Sequence, residues 1–199
     1  MTISGPAPIT LCVFCGSRHG ARPAFAEAAR AIGSDLAQRG WELVYGGGKV
    51  GLMGVLADAA CEGGARVTGV IPQSLMAREV GHSGLAELLI VPNMHVRKRR
   101  MAERAHAFVA LPGGLGTFEE LFEIWTWRQL GHHGRPIALL NTAGYYDPLL
   151  HFLQDTVRQG FVTADQADML LVDDEPQRLL ARVEQALAGG TPRTDLRRT

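Results

Sequence analysis

The chain has 199 residues, 46% of them hydrophobic, which is enough for one domain with a substantial core. Its 20 basic and 20 acidic residues cancel, and this balance argues against a general nucleic-acid binder or a membrane-surface protein. No apolar run approaches the roughly 18 residues of a membrane helix, and the start of the chain lacks the charged segment of a secretory signal. We therefore expect a cytoplasmic protein that binds neither nucleic acid nor membranes.

The three cysteines are too few for a disulfide framework, although Cys12 and Cys15 form a C-x-x-C pair. Their odd spacing within a strand places the two side chains on opposite faces of the sheet. We therefore expect core packing at these positions rather than redox or metal chemistry.

Short apolar runs alternate with amphipathic segments along the chain. The predicted strands span 9–15, 41–45, 66–71, 87–91, 106–111, 136–141 and 169–172. The predicted helices span 23–38, 52–61, 93–104, 118–130, 148–159 and 176–187. Near-continuous hydrophobic strands that alternate with helices are typical of a doubly wound parallel α/β sheet with helices on both faces. We predict one such domain over residues 1–188 and a disordered tail over 189–199.

Ligands of such a sheet bind beyond the carboxyl ends of its strands. The loops that follow the predicted strands at this edge are 16–18, 46–48, 72–74, 92–94, 112–114 and 141–142, and four or five of them carry small or polar residues. Their convergence predicts a single site at this edge, with Gly16, Ser17, Gly47 and Gly48 among the candidate contacts. The polar segment 72–84 is long enough to form a lid or to contact the substrate.

The most informative stretch is L-P-G-G-L-G-T-F-E-E at 111–120, a glycine-rich turn between a predicted strand and a predicted helix. Such a turn lets backbone N–H groups converge on an anion at the helix N-terminus. Glu119 and Glu120 are predicted in the first helical turn, and Glu123 lies one turn later on roughly the same face. Phosphate binding beside carboxylate chemistry is one interpretation; the other is a capping box between Thr117 and Glu120.

The run Arg97-Lys98-Arg99-Arg100 is the densest cluster of charge in the chain. It occupies the first half of a predicted helix, where cations oppose the macrodipole. A solvated helix face is one interpretation. A nearby anion, either a nucleotide phosphate or Glu120, is the other, and it would place at least one of these cations in the site.

A second glycine motif, G-G-G-K-V-G at 46–51, matches the dinucleotide fingerprint G-x-G-x-x-G. However, it lies in the second strand–helix unit, and the next strand ends without the acidic residue that would bind a ribose 2′-hydroxyl. NAD binding is therefore disfavoured. Close approach of the backbone to a nucleotide and tight strand–helix packing both remain open.

Three motifs together resemble the LONELY GUY family of cytokinin riboside 5′-monophosphate phosphoribohydrolases, which are often described as lysine decarboxylases. They are V-Y-G-G-G-x-V-G-L-M-G at 44–54, M-H-x-R-K-x-x-M at 94–101 and P-G-G-x-G-T-x-x-E at 112–120. The similarity extends from about residue 12 to residue 162 and includes N-x-x-G-Y-Y at 141–146. One departure is Val96, where family members often have glutamate.

The resemblance implies a Rossmann-like cytoplasmic homodimer that needs no metal or other cofactor. It implies hydrolysis of the N-glycosidic bond of a purine nucleoside 5′-monophosphate, of cytokinin or adenine type, to free base and ribose 5-phosphate. Arg97 and Glu120 correspond to the family's catalytic pair. The substrate contacts correspond to Glu79, Lys98, Gly113, Gly114, Leu115, Gly116, Thr117, Phe118, Glu119 and Thr126. A carboxylate at residue 120 fits this chemistry, since it can stabilise an oxocarbenium-like state and orient water.

Three other functions are alternatives to hydrolysis of a nucleoside monophosphate. A carrier of a nucleotide or of molybdenum cofactor, with a related fold, would need no catalytic pair. A pyridoxal phosphate decarboxylase needs a Schiff-base lysine, and the chain offers only Lys49 and Lys98. A dinucleotide-dependent oxidoreductase would need an acidic residue to bind the ribose 2′-hydroxyl, and this chain lacks one at the expected strand end.

Overall fold

The computed structural model describes residues 8–76 and 81–190. Seven strands form its sheet: β1 (Thr10–Phe14), β2 (Glu42–Tyr45), β3 (Val67–Pro72), β4 (Glu87–Val91), β5 (Ala107–Ala110), β6 (Ile137–Leu140) and β7 (Leu170–Asp173). The helices described are α1 (Pro23–Gln38), α2 (Gly51–Glu62), α3 (Met94–Arg104), α4 (Leu115–Gln129), α5 (Asp147–Arg158), α6 (Ala164–Ala167) and α7 (Pro176–Ala188). Short 3-10 turns follow β3 and β6.

The strands lie in the order β4-β3-β2-β1-β5-β6-β7, and every neighbouring pair is parallel. The chain winds outward from β1 in one direction as far as β4, then returns to the other side of β1 to place β5. The carboxyl ends of β1 and β5 therefore form the topological switch point, where open α/β sheets bind their ligands. The predicted doubly wound, Rossmann-like α/β fold is confirmed.

The two faces of the sheet carry separate hydrophobic cores, because successive side chains of a strand point in opposite directions. Cys12 and Phe14 pack in one core, and Val13 and Cys15 pack in the other. Both cysteines are buried, so the predicted core packing is confirmed.

Helix α4 begins three residues earlier than the sequence predicted. Gly114 is its extended N-cap residue and Leu115 its first helical residue, which makes Thr117 the third residue of the helix. The capping-box interpretation is therefore wrong, because that motif needs its threonine at the N-cap position. Glu119 and Glu120 also lie in the second turn, not the first. The apolar pattern begins only at residue 118, so it did not reveal a first turn built largely from glycine and exposed residues.

Short helix α6 was not predicted, since its four residues are too few to show a helical period. Among the described residues, no helix combines the length and apolar character needed to cross a membrane. Most of the predicted tail, from residue 191 onward, lies outside the described residues.

Candidate functional site

Two adjoining cavities open at the switch point of the sheet. The inner cavity, of about 180 Å³, is lined by Val13, Phe14, Cys15, Gly16, Ser17, Gly46, Met53, Met94, Arg97, Gly114, Leu115, Gly116, Thr117 and Glu120. The outer cavity, of about 510 Å³, is lined by Gly16, Ser17, Arg18, His19, Gly20, Phe25, Leu52, Pro112, Gly113, Gly114, Leu115 and Tyr145. Because they share Gly16, Ser17, Gly114 and Leu115, the two cavities meet at the N-terminus of α4.

The N-terminus of α4 supplies hydrogen-bond donors to this junction. The N–H groups of Leu115, Gly116 and Thr117 belong to the first turn and have no acceptor within the helix. All three residues line the inner cavity, and the helix dipole adds a partial positive charge at this end. The geometry suits a phosphate or another anion.

The glycines of this turn differ in how closely the rest of the protein packs against them. A Cβ atom on Gly113 would lie 2.1 Å from Thr117 Oγ1, so glycine is needed there for packing within the turn. By contrast, a Cβ atom on Gly114 or Gly116 would meet nothing within 4 Å, and neither residue has a positive φ. The protein's own packing thus leaves open space beside the backbone at positions 114 and 116, where a ligand can approach closely.

Arg97 is held at the carboxyl ends of β2 and β3 by main-chain carbonyls. Its Nη2 donates to the Gly46 carbonyl at 2.8 Å, and its Nε donates to the Val70 carbonyl at 3.0 Å. Its side chain is buried yet lines the inner cavity. The cation in the first half of α3 is therefore compensated in part by the oxygen ends of strand peptides, an arrangement that the sequence did not reveal.

Glu120 lies across the same cavity, on the second turn of α4, and only 9% of its surface is exposed. The charges of Glu120 and Arg97 both act on the neighbouring Cys15 thiol. Burial raises the pKa of Cys15, the negative charge of Glu120 raises it further, and Arg97 opposes the shift. The thiol is therefore protonated and inert at neutral pH, which leaves Arg97 and Glu120 as the basic and acidic side chains that line the inner cavity.

Lys98 forms a separate ionic cluster with Glu119 and Glu123. Its Nζ lies 3.0 Å from a carboxylate oxygen of each. Burial alone would lower the pKa of Lys98, but the hydrogen bonds to the two carboxylates outweigh it and raise that pKa. These three residues line neither of the two cavities.

The structure thus brings part of the predicted set together. Eight predicted residues line the inner cavity: Gly16, Ser17, Arg97, Gly114, Leu115, Gly116, Thr117 and Glu120. Gly113 lines the outer cavity. Six others line neither: Gly47, Gly48, Lys98, Phe118, Glu119 and Thr126. Glu79 lies outside the described residues.

The second glycine motif serves packing between loops. Gly47 has a φ of 78°, and a Cβ atom there would lie 3.1 Å from the Val70 backbone nitrogen. Gly51 has a φ of 60°, and its Cβ atom would lie 2.3 Å from backbone atoms of Ser17 and Arg18. The tight-packing interpretation therefore accounts for two of the motif's glycines.

Other lining residues were not predicted. Met53 and Met94 line the inner cavity, whereas Phe25 and Tyr145 line the outer one. The methionines and Tyr145 lie within motifs that carry the family resemblance, but sequence alone does not tell a cavity wall from a core position.

The matching family model and the most similar known proteins point to the same family. Residues 53–183 match the family model described as "Possible lysine decarboxylase". The chain is 49% identical over 175 residues to "Probable cytokinin riboside 5′-monophosphate phosphoribohydrolase LOGL1" of Oryza sativa subsp. japonica, with 88% of this chain and 78% of that protein covered. It is 46% identical to "Cytokinin riboside 5′-monophosphate phosphoribohydrolase LOG7" of Arabidopsis thaliana, with 88% of this chain and 81% of that protein covered.

Solved structures show the same fold at much lower identity. The molybdenum cofactor carrier protein of Chlamydomonas reinhardtii superposes with a TM-score of 0.72 at 20% identity, covering 91% of this chain and 99% of that one. The molybdenum cofactor binding protein of Rippkaea orientalis gives a TM-score of 0.69 at 17% identity, with 91% and 98% covered. At this level of identity the likeness concerns the fold alone.

Proposed function

The chain belongs to the LONELY GUY family, and from that premise we propose that it hydrolyses the N-glycosidic bond of a purine nucleoside 5′-monophosphate. The products are the free base and ribose 5-phosphate. The observation that carries this proposal is the arrangement in the inner cavity, where a helix N-terminus with an open glycine turn adjoins the side chains of Arg97 and Glu120.

The phosphate binds at the N–H groups of Leu115, Gly116 and Thr117. Glu120 follows Leu115 by five residues, about 7.5 Å along the helix axis, and it lines the same cavity, so its carboxylate is placed beside the sugar when the phosphate is at the helix end. The phosphate contact lies far from the reacting carbon and supplies binding energy that positions the ribose.

Glu120 stabilises the oxocarbenium-like state at the sugar and orients or deprotonates the attacking water. Arg97 is held in place by the Gly46 and Val70 carbonyls. From there it contacts the substrate and orients the Glu120 carboxylate.

Release of adenine and ribose 5-phosphate from AMP tests this proposal. We expect Glu120→Gln to lower turnover by at least about 100-fold, the size of a general acid–base contribution, and to change AMP affinity little. Equal turnover in a folded Glu120→Gln protein would contradict the role given to this carboxylate. A panel of AMP, a prenylated AMP, GMP and CMP identifies the preferred base.

The same assay separates hydrolysis from a carrier function, the main alternative. The structural neighbours named as molybdenum cofactor proteins give this alternative its support. A carrier binds its ligand without releasing a base, whereas the Arg97–Glu120 pair favours an enzyme.

The decarboxylase description of the family model does not fit the lysines of this chain. A Schiff-base lysine must become a neutral amine, and its pKa is usually lowered for that purpose. The pKa of Lys98 is raised by its two carboxylates, and Lys49 is exposed outside both cavities. We therefore derive no step through pyridoxal phosphate.

We also propose that the protein is a cytoplasmic homodimer that pairs through the outer face of α4. On a helical projection, Leu115, Glu119, Phe122, Thr126 and Leu130 fall within an arc of about 80°. Leu115 is 86% exposed, Phe122 37% and Leu130 62%, so three large apolar side chains face solvent along this one face of α4. Light scattering should give twice the chain mass of 21.5 kDa, and Phe122→Asp with Leu130→Asp should give the monomer.

A further inference from the structure

The backbone between β5 and α4 is held by hydrogen bonds to three successive carbonyls. Tyr146 Oη donates to the Leu111 carbonyl at 2.7 Å, and the Gly16 N–H donates to the Pro112 carbonyl at 3.1 Å. Tyr145 Oη donates to the Gly113 carbonyl at 2.5 Å. These bonds fix the peptide planes from which α4 begins.

The bond from Tyr145 differs from the bond from Tyr146 in one respect. In a trans peptide, the N–H points opposite to the C=O. Tyr146 orients the Leu111–Pro112 peptide, whose proline nitrogen carries no hydrogen. Tyr145 orients the Gly113–Gly114 peptide, so its hydroxyl turns the Gly114 N–H away from itself. Gly114 lines both cavities at their junction.

A peptide between two glycines is the one that most needs such a restraint. Glycine populates backbone conformations that other residues avoid, and neither flanking residue has a side chain to fix the plane. A flipped peptide would exchange the directions of the Gly113 carbonyl and the Gly114 N–H, and a carbonyl oxygen that faces a phosphate repels it. One hydrogen bond from outside the turn prevents this.

Tyr145 is itself held firmly in position. Its ring packs edge-on against Phe25 at 5.5 Å and against Tyr146 at 4.8 Å. The preceding turn contains Ala143, whose φ of 54° is unusual for a residue with a side chain. Arg22 Nη1 donates to the Ala143 carbonyl at 2.8 Å, and Asn141 Oδ1 accepts from the Tyr146 N–H at 2.7 Å. The turn therefore presents the Tyr145 hydroxyl at a fixed place.

We propose that Tyr145 is a positioning residue for the phosphate site: its hydroxyl orients the Gly113–Gly114 peptide so that the Gly114 N–H joins the donors that bind the 5′-phosphate. This inference rests on the proposed function. It gives a role to the first tyrosine of the N-x-x-G-Y-Y motif, which lies outside the catalytic pair.

The test compares Tyr145→Phe with Tyr146→Phe, two variants that each lose one hydroxyl from the same turn. Calorimetry measures the affinity for ribose 5-phosphate, thermal unfolding gives Tm, and AMP hydrolysis gives KM and kcat. For Tyr145→Phe we expect ribose 5-phosphate affinity to fall about 5- to 10-fold, the range of one hydrogen bond, and KM for AMP to rise similarly. The kcat value should stay within about twofold, since the contact is made equally in the ground and transition states.

Tyr146→Phe should lower Tm, because it leaves the buried Leu111 carbonyl unpaired, without changing ribose 5-phosphate affinity more than about twofold. The inference is overturned if Tyr145→Phe binds ribose 5-phosphate as the unchanged protein does, or if both variants weaken it equally. Lack of ribose 5-phosphate binding by the unchanged protein also overturns it. Absence of base release from AMP, with the affinity difference intact, would instead refute the proposed hydrolysis and leave the role of Tyr145 standing.

Discussion

Gly46 and Arg97 occupy complementary space: Nη2 of Arg97 donates to the Gly46 carbonyl at 2.8 Å, and a Cβ atom on residue 46 would lie 2.3 Å from that same nitrogen. Only a residue without a side chain lets the guanidinium reach both the Gly46 and the Val70 carbonyls. The first glycine of the 46–51 motif therefore determines where a candidate catalytic cation sits.

Gly46→Ala should displace the Arg97 guanidinium and reproduce much of the effect of Arg97→Ala. We expect kcat/KM for AMP to fall by at least about 100-fold in both variants, the range found when a positioned catalytic group is lost. Gly189→Ala is the matched control, because its Cβ atom would meet only ordinary contacts at 3.6 Å at the end of α7. Full activity in Gly46→Ala would show that Arg97 acts from another position.

Gly116→Ala should change stability and affinity in opposite directions. The new methyl group meets no atom within 4 Å, so replacing a helical glycine should stabilise the free protein by about 0.5–1 kcal/mol. The same methyl group occupies the space beside the backbone where we propose that the phosphate binds, so KM for AMP should rise. Urea unfolding and steady-state kinetics measure the two effects. An unchanged KM would show that the phosphate does not bind beside residue 116.

His133 should make stability depend on pH. Burial lowers its pKa to about 4 from an ordinary 6.5. Its ring accepts the Arg135 N–H at Nδ1 and lies 3.0 Å from the Ile124 carbonyl at Nε2, which suits the neutral form. Since the unfolded chain binds the proton more readily, stability is complete above pH 6.5 and declines as the pH falls toward 4.

That decline amounts to about 3 kcal/mol at most, because folding lowers the pKa of His133 from 6.5 to about 4. Urea unfolding at pH 7, 6, 5 and 4 measures it. In His133→Gln the free energy of unfolding should depend less on pH between 7 and 4. If both proteins lose stability equally over this range, other groups cause the pH dependence.

Ala143→Gly should raise Tm by a few degrees and leave activity intact. A left-handed conformation costs a residue with a side chain about 1–2 kcal/mol, and glycine removes that cost at the expense of some backbone entropy. The turn stays anchored by Arg22 and Asn141. A lower Tm would show that the backbone here is not strained.

The sequence predicted helices and strands well where signals within the segment itself determine its ends. Helix α1 begins at Pro23 and ends at Gln38 as predicted, because proline suits the first turn of a helix and the apolar period is regular. The start of α4 was missed, because Gly114 carries no side-chain cap to mark it.

The sequence predicted the parts of the candidate site that lie close together in the chain, and it missed the contacts between distant residues. Residues 113–117 form a contiguous motif, and their place at a helix N-terminus followed from the glycine pattern. The carbonyl partners of Arg97, by contrast, are Val70 in β3 and Gly46 just after β2, which lie 27 and 51 residues away in the chain. The hydroxyl of Tyr145 reaches across 32 residues to Gly113. Such contacts depend on the order of strands in the sheet, which no local pattern encodes.

The shared wall of Gly16, Ser17, Gly114 and Leu115 has a consequence for inhibitor design. A sugar-phosphate mimic bound in the inner cavity beside Glu120 would lie next to the space bounded by Phe25 and Tyr145. Joining it to an aromatic fragment converts two weak binding events into one, because the second fragment is then present at a high effective concentration.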